Sequence, residues 1–250
     1  MAPDGTAKLV SGEDIRLDPV AMRLLAAMSL HTITSVHGEA GLRERLLLEI
    51  GRFPAADRAR AEGALALASR LHARDRRQRE PYLCHLLRVT IRILSHYRVS
   101  DPDVICAALL HDAVEDHQQD LAPGGTRQAA FAVLAGQFGQ RTAALVAAVT
   151  NPVYEAGRDE HEQYRQHVND SLEDEPWARV IKASDFTDNG VGLQYTTGPK
   201  LSKLTSKYRP LVPALRGLIL RPDTPLDPDV REMIARQLDK AEDRFAAIAG

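Results

Sequence analysis

The run Ala107-Ala-Leu-Leu-His111-Asp112-Ala-Val-Glu115-Asp116 sets four ionisable side chains at the end of an otherwise apolar helix. Ahead of it, Asp101-Pro102 reads as an N-cap followed by proline at the first helical position, and the periodicity predicts one helix over 102–117. Val104, Ala108, His111 and Glu115 fall on one stripe, and Ile105, Leu109, Asp112 and Asp116 on the adjacent one. The polar residues therefore continue the face that the apolar ones commit to the core. Unpaired charges there cost several kcal/mol each, so the fold has to compensate them. A bound metal ion is the most economical compensation.

With 250 residues the chain can bury a proper core, as one large domain or two small ones. Hydrophobic residues make up 44% and aromatic residues only 5%, with no alternating β-branched or aromatic runs, so an all-α fold is expected. The formal net charge of -2 gives no basic field, and DNA is not an expected partner. Cys84 and Cys106, the only cysteines, stand in apolar helical segments in no CxxC arrangement and read as buried reduced thiols. Met1 to Gly12 is polar with no apolar run long enough for a signal peptide, and no segment approaches the ~20 apolar residues of a membrane span. The expected location is the cytoplasm.

Breakers and periodicity place helices at 18–34, 40–51, 55–74, 82–97, 102–117, 128–136, 140–149, 161–172, 176–188, 200–220 and from Asp227-Pro228 to about Ala247. Loops are expected at 118–127 and 151–160, a break at Gly198-Pro199, and little order over 1–16. This divides the chain into an N-terminal helical extension (1–60), a main domain (61–220) and a C-terminal helix packed on it (221–250).

Three separated segments carry polar residues on faces predicted to be apolar. His85 sits among Tyr82, Val89 and Ile93. His111 and Asp112 close the run described above, and Asp185 follows Ile181 by one turn. Two imidazoles and two carboxylates make a mixed nitrogen and oxygen set suited to Mn²⁺, Fe²⁺, Zn²⁺ or Ni²⁺, with positions left open for water and a phosphate oxygen. Glu115 and Asp116, one predicted turn further on, are placed to orient water or move a proton. Taken singly, each residue has a plainer reading. A lone buried histidine is usually a satisfied core residue, and Asp185 alone fits a helix cap or an ion-pair partner of Lys182.

The joint pattern resembles a known family. A His-Asp doublet among small and aliphatic residues is the signature of the HD metal-dependent phosphohydrolases. More closely, Arg76-Arg77-Gln-Arg-Glu-Pro81-Tyr82-Leu-Cys-His85, the 107–116 run, Phe138-Gly139, Leu145 to Thr150, and Ile181-Lys182-Ala-Ser-Asp185 with Asn189 resemble the hydrolase domain of the RelA/SpoT homologues. The resemblance covers roughly residues 66–210. It implies an HD-domain helical bundle and removal of the 3′-pyrophosphate from ppGpp and pppGpp. It further implies His85, His111, Asp112 and Asp185 as ligands of one Mn²⁺ ion, Glu115 and Asp116 as the pair that activates water, Arg76 and Arg77 as a basic pair against the purine, and Asn189 as a contact to ribose and phosphate. The chain departs from the family pattern at Leu86 (usually proline), His117 (threonine), Asn151 (lysine) and Phe186 (arginine).

No synthetase-like motif is present, so a stand-alone small alarmone hydrolase is expected, of a kind similar to antitoxins that neutralise toxic small alarmone synthetases. Such a synthetase is the protein partner this reading implies. Two alternatives stand beside it: the same metal chemistry on another substrate (an adenosine alarmone, a pyrophosphorylated tRNA end, a deoxynucleotide or a cyclic dinucleotide), and a non-catalytic nucleotide- or partner-binding protein. The intact ligand set together with Glu115 and Asp116 speaks against the last.

Overall fold

Helix boundaries follow local capping chemistry. The computed structural model describes residues 19–77, 80–190 and 199–249, and they form thirteen α-helices. These are α1 (Pro19–Ala27), α2 (Leu30–Ile50), α3 (Ala55–Leu71), α4 (Leu83–Ser95), α5 (Pro102–Leu110), α6 (Ala113–Leu121), α7 (Arg127–Phe138), α8 (Gln140–Val149), α9 (Glu160–Glu173), α10 (Pro176–Gly190), α11 (Pro199–Tyr208), α12 (Val212–Leu220) and α13 (Pro228–Ala249). A single 3-10 turn, Arg209–Leu211, joins α11 to α12. Among the described residues there is no strand, only an isolated antiparallel bridge between Arg76 and Pro81. The fold is the all-α bundle expected. The segment 1–16 and the Gly198 side of the predicted break lie outside the described residues.

Several boundaries differ from the sequence reading, each for a local reason. The helix expected over 200–220 is two, α11 and α12, parted by the 3-10 turn at Arg209–Leu211, where Pro210 has no N–H to donate. The helix expected over 18–34 is two helices, because the Ser29 side chain accepts the Thr32 N–H at 3.1 Å and restarts the chain as an N-cap. The gap expected after residue 34 is instead a kink inside α2 at Gly38, whose φ of 60° favours glycine. The helix expected over 102–117 breaks at His111-Asp112: the His111 ring donates its Nδ1–H to the Ala108 carbonyl at 2.9 Å, taking the acceptor that a continuing helix would give to the backbone. A second departure, at His117 (φ -129°, ψ 30°), bends α6.

Helix α4 lies at the centre, packed against α2, α5 and α10, while α5 is also covered by α3 and α8. Val89, Ile91 and Ile93 of α4, Ile105, Ala108 and Leu109 of α5, and Val180, Ile181 and Ala183 of α10 are all inaccessible to solvent. Alanines at the α5 contacts let the neighbouring backbones approach closely, and the apolar burial drives the three helices together. One contiguous core runs from Leu25 to Phe245, so α1, α2 and α13 share it. It also holds a fully buried guanidinium. Arg179 donates to the Leu172 and Glu173 carbonyls at the end of α9, each at 2.6 Å, and to Asp223 at 2.9 Å, so its charge caps a helix C-terminus. Both cysteines are buried free thiols; burial pushes Cys84 up to about 11 and Cys106 up to about 12, which keeps them protonated. No described helix is long and apolar enough to cross a membrane.

Candidate metal centre

The contacts among α4, α5 and α10 bring the separated polar residues of the sequence to one place. His85 stands in the first turn of α4, His111 and Asp112 occupy the break between α5 and α6, and Asp185 lies in the second half of α10. His85, His111 and Asp185, at 1%, 3% and 8% exposure, place one ligand atom each within 4.8 Å of one another. The Nε2 of His85 is 3.3 Å from Asp185 Oδ1 and 3.8 Å from Asp112 Oδ2. The Nε2 of His111 is 3.2 Å from Asp112 Oδ2 and 3.8 Å from Asp185 Oδ1.

The imidazoles are aimed by what their other nitrogens do. His111 gives Nδ1–H to a carbonyl, which can only accept, so in the neutral ring, the form that ligates a metal, Nε2 carries the lone pair; that atom is buried and has no hydrogen-bond partner. His85 gives Nδ1–H to Asp188 Oδ2 at 2.9 Å, which likewise turns its Nε2 inward. A ring nitrogen fixed by a carboxylate or carbonyl on its far side is the usual outer arrangement of a metal-ligating histidine. The carboxylates are held as firmly. Tyr82 donates its hydroxyl to Asp112 Oδ2 at 2.7 Å, Asn189 donates Nδ2–H to Asp185 Oδ1 at 2.5 Å, and Lys182 donates Nζ–H to Asp185 Oδ2 at 3.2 Å. The ion pair that the plainer reading offered for Asp185 therefore exists beside its place in the cluster.

Burial works against charge on His111, Asp112 and Asp185, and mutual attraction outweighs it. Asp112, facing His111 and His85, is held below the usual carboxylate range; Asp185, beside Lys182 and the two histidines, is held well below it. His111 is drawn well above its ordinary value by Asp112 and Asp185. An orphaned buried nitrogen, a second imidazole nitrogen within 4.8 Å of it and two ionised carboxylates form a donor set that fits a divalent transition metal.

Asp188 supports the centre, and the sequence reading passed over it. Its side chain, 4% exposed, accepts from His85, from Arg88 Nε and Nη2 at 2.9 Å each, and from Arg92 at 3.1 Å. Burial opposes its charge, but the His85 and Arg88 hydrogen bonds keep it well below the ordinary range. Its signal was present: Asp188 follows Asp185 by three residues and Arg88 follows His85 by three, each pair on one helix face. Replacing Asp188 with Ala is expected to weaken metal affinity by about 10- to 100-fold through loss of His85 orientation. It should also destabilise the fold by about 3–5 kcal/mol, because Arg88 and Arg92 lose a buried partner. Metal titration and chemical denaturation check the two effects separately.

The other expected site residues are less uniformly placed. Arg77 donates Nη2–H to Asn189 Oδ1 at 2.5 Å and lies 5.3 Å from the Tyr82 ring centroid. Arg76 is exposed, taken up in the bridge to Pro81. Glu115 and Asp116 open α6 and both reach solvent. Glu115 accepts from the Asn151 side chain at 2.9 Å and from its backbone N–H at 3.2 Å. Asp116, exposed yet crowded, is pushed up to about 6 by the protein around it and by the charges of Asp112 and Glu115.

Residues 64–172 match the family model described as HD domain. That match spans less than half of the chain. It contains His85, His111, Asp112, Glu115 and Asp116; Asp185 and Asn189 follow it on α10. The chain is 29% identical over 136 residues to the Drosophila melanogaster protein named guanosine-3′,5′-bis(diphosphate) 3′-pyrophosphohydrolase MESH1, covering 53% of this chain and 69% of the fly protein. It is 28% identical over 180 residues to a guanosine-3′,5′-bis(diphosphate) 3′-pyrophosphohydrolase of Aquifex aeolicus (strain VF5), covering 70% of this chain but only 24% of that longer protein. A solved structure described as a metazoan ortholog of SpoT that hydrolyses ppGpp aligns with a TM-score of 0.55 at 25% identity, over 74% of this chain and 97% of that one. Over the aligned part, the helices thus share the fold of that solved structure.

Proposed function

We propose that this chain is a metal-dependent hydrolase that removes the 3′-pyrophosphate from (p)ppGpp-type alarmone nucleotides. Residues 61–220 form the catalytic unit in this reading, with α1, α2 and α13 packed on it. One observation carries it beyond HD chemistry in general. Arg77 is bonded to Asn189 and Asn189 to Asp185, so the pair expected to hold purine and ribose is wired to a carboxylate of the metal centre. A nucleotide held by Arg77 and Asn189 has its 3′ substituent beside that centre, which a generic 5′-nucleotidase does not require. The names of the fly and Aquifex relatives support the same substrate.

His85, His111, Asp112 and Asp185 would hold the cation, for which we choose Mn²⁺. When bound, it supplies Lewis acidity, polarising a phosphoryl oxygen and making water more acidic. The residues around it do the positioning. Asp116, with its carboxyl near 6, takes the proton of the attacking water, because a base titrating close to the working pH is both deprotonated and basic enough. Glu115, fixed by Asn151, orients that water. Water adds to the phosphorus bonded directly to the 3′ oxygen, that P–O bond breaks, the 3′ oxygen takes up a proton to become the 3′ hydroxyl, and pyrophosphate leaves with the 5′ phosphates untouched. Hydrolysis would consume the product of an alarmone synthetase, so an antitoxin role in the cytoplasm during the stringent response follows without any contact between the two proteins.

The nucleotide-binding part is tested by Arg77. Its guanidinium stacks and hydrogen-bonds in the ground state as in the transition state, so Arg77→Ala is expected to raise KM about tenfold or more with little change in kcat. Arg76→Ala, at an exposed side chain, should change KM much less. Steady-state kinetics with ppGpp and with its adenosine counterpart check this; a drop in kcat at unchanged KM would place Arg77 in the chemistry and not in binding.

A further inference from the structure

Tyr82, whose hydroxyl reaches Asp112, stacks with its ring on His72 (centroids 4.8 Å apart, planes 12° apart), and His72 belongs to a second converging group. His72 follows α3, Asp75 lies in the turn after it, and His117 sits where α6 departs from helical geometry. The His72 Nδ1 and the His117 Nε2 each approach the same oxygen, Asp75 Oδ2, at 2.7 Å, and one ligand atom from each of the three residues lies within 4.8 Å of the others. On its far side, His117 turns Nδ1 to Asp120 Oδ2 at 2.8 Å.

We propose that His72, Asp75 and His117 bind a second metal ion, Zn²⁺, with Asp120 as the carboxylate that orients His117. Without a cation, His117 faces an acceptor-only carboxylate with both nitrogens and one oxygen must serve two imidazoles. A metal ion satisfies the same atoms at once: it takes the His117 Nε2 lone pair, the His72 Nδ1 lone pair and an Asp75 oxygen, while His117 Nδ1–H still donates to Asp120. Two imidazoles and one carboxylate, with a side open to solvent for water, suit zinc and exclude the all-oxygen preference of Ca²⁺ and Mg²⁺. The consequence is mechanical. The ion clips the end of α3 to α6 and fixes the His72 ring on which Tyr82 rests, and Tyr82 in turn holds Asp112.

Metal-stripped protein titrated with Zn²⁺ by calorimetry, with metal content measured after gel filtration, tests this without reference to turnover. Wild type is expected to bind two equivalents, His117→Ala and Asp75→Asn one each, and Asp112→Ala only the equivalent that those variants lose. Helical circular dichroism is read on every variant, and the conservative Asp75→Asn carries the result should His117→Ala fold poorly. A single equivalent in wild type, or two equivalents retained in folded Asp75→Asn, overturns the proposal.

Discussion

His111→Ala and Asp112→Ala are expected to lose the metal of the α4–α5–α10 centre and to lower turnover by about 10³-fold or more, the worth of several kcal/mol of Lewis-acid stabilisation. Each change removes a ligand atom and leaves an uncompensated group. Without His111, Asp112 and Asp185 lose the imidazole that lies 3.2 and 3.8 Å from them. Without Asp112, the Tyr82 hydroxyl loses its acceptor and the His111 Nε2 stays buried with nothing to bind. Elemental analysis and turnover are to be read on the same preparations. Full occupancy of the centre in both variants would show that the ligands lie elsewhere.

Asp116→Asn should keep that metal and still slow turnover by roughly 10²–10⁴-fold, the range of a positioned acid or base. Glu115→Gln should cost less within that range, because Glu115 is already committed to Asn151 and acts by orientation. The sign of the pH dependence follows from the Asp116 carboxyl. It is raised to about 6, and the base form is the deprotonated one, so kcat/KM falls as pH drops through that value. A cation bound beside Asp112 favours the charged form and moves this limb to lower pH. The limb should vanish in Asp116→Asn. An Asp116→Asn protein with wild-type turnover and an unchanged profile would remove Asp116 from the mechanism.

Much of this site was legible because its residues break a pattern. His85, His111, Asp112 and Asp185 are polar at positions where helical periodicity demands apolar side chains, and the structure brings all four together. What stayed hidden depends on contacts that periodicity does not encode. The break at His111-Asp112 comes from one side-chain hydrogen bond to the Ala108 carbonyl, and a run of Ala and Leu gives no warning of it. Asp188 looked like one more polar residue after Asp185, and only the crossing of α10 over α4 puts it between His85, Arg88 and Arg92. The adjacent Arg76 and Arg77 are equal in sequence; the bridge between Arg76 and Pro81 turns one outward while the other reaches Asn189. His117 was visible as a departure from the family pattern, but its partners His72 and Asp75 come from 45 and 42 residues away in the chain, and their convergence is tertiary.

The most direct test of the central claim is product analysis: purified protein with Mn²⁺ and ppGpp, resolved by ion-exchange chromatography alongside a panel of other nucleotides. Release of pyrophosphate with formation of guanosine 5′-diphosphate, its 5′ phosphates intact, is the predicted result. A protein that ignores 3′-pyrophosphorylated nucleotides but cleaves a 5′-monophosphate or a cyclic dinucleotide would contradict the account.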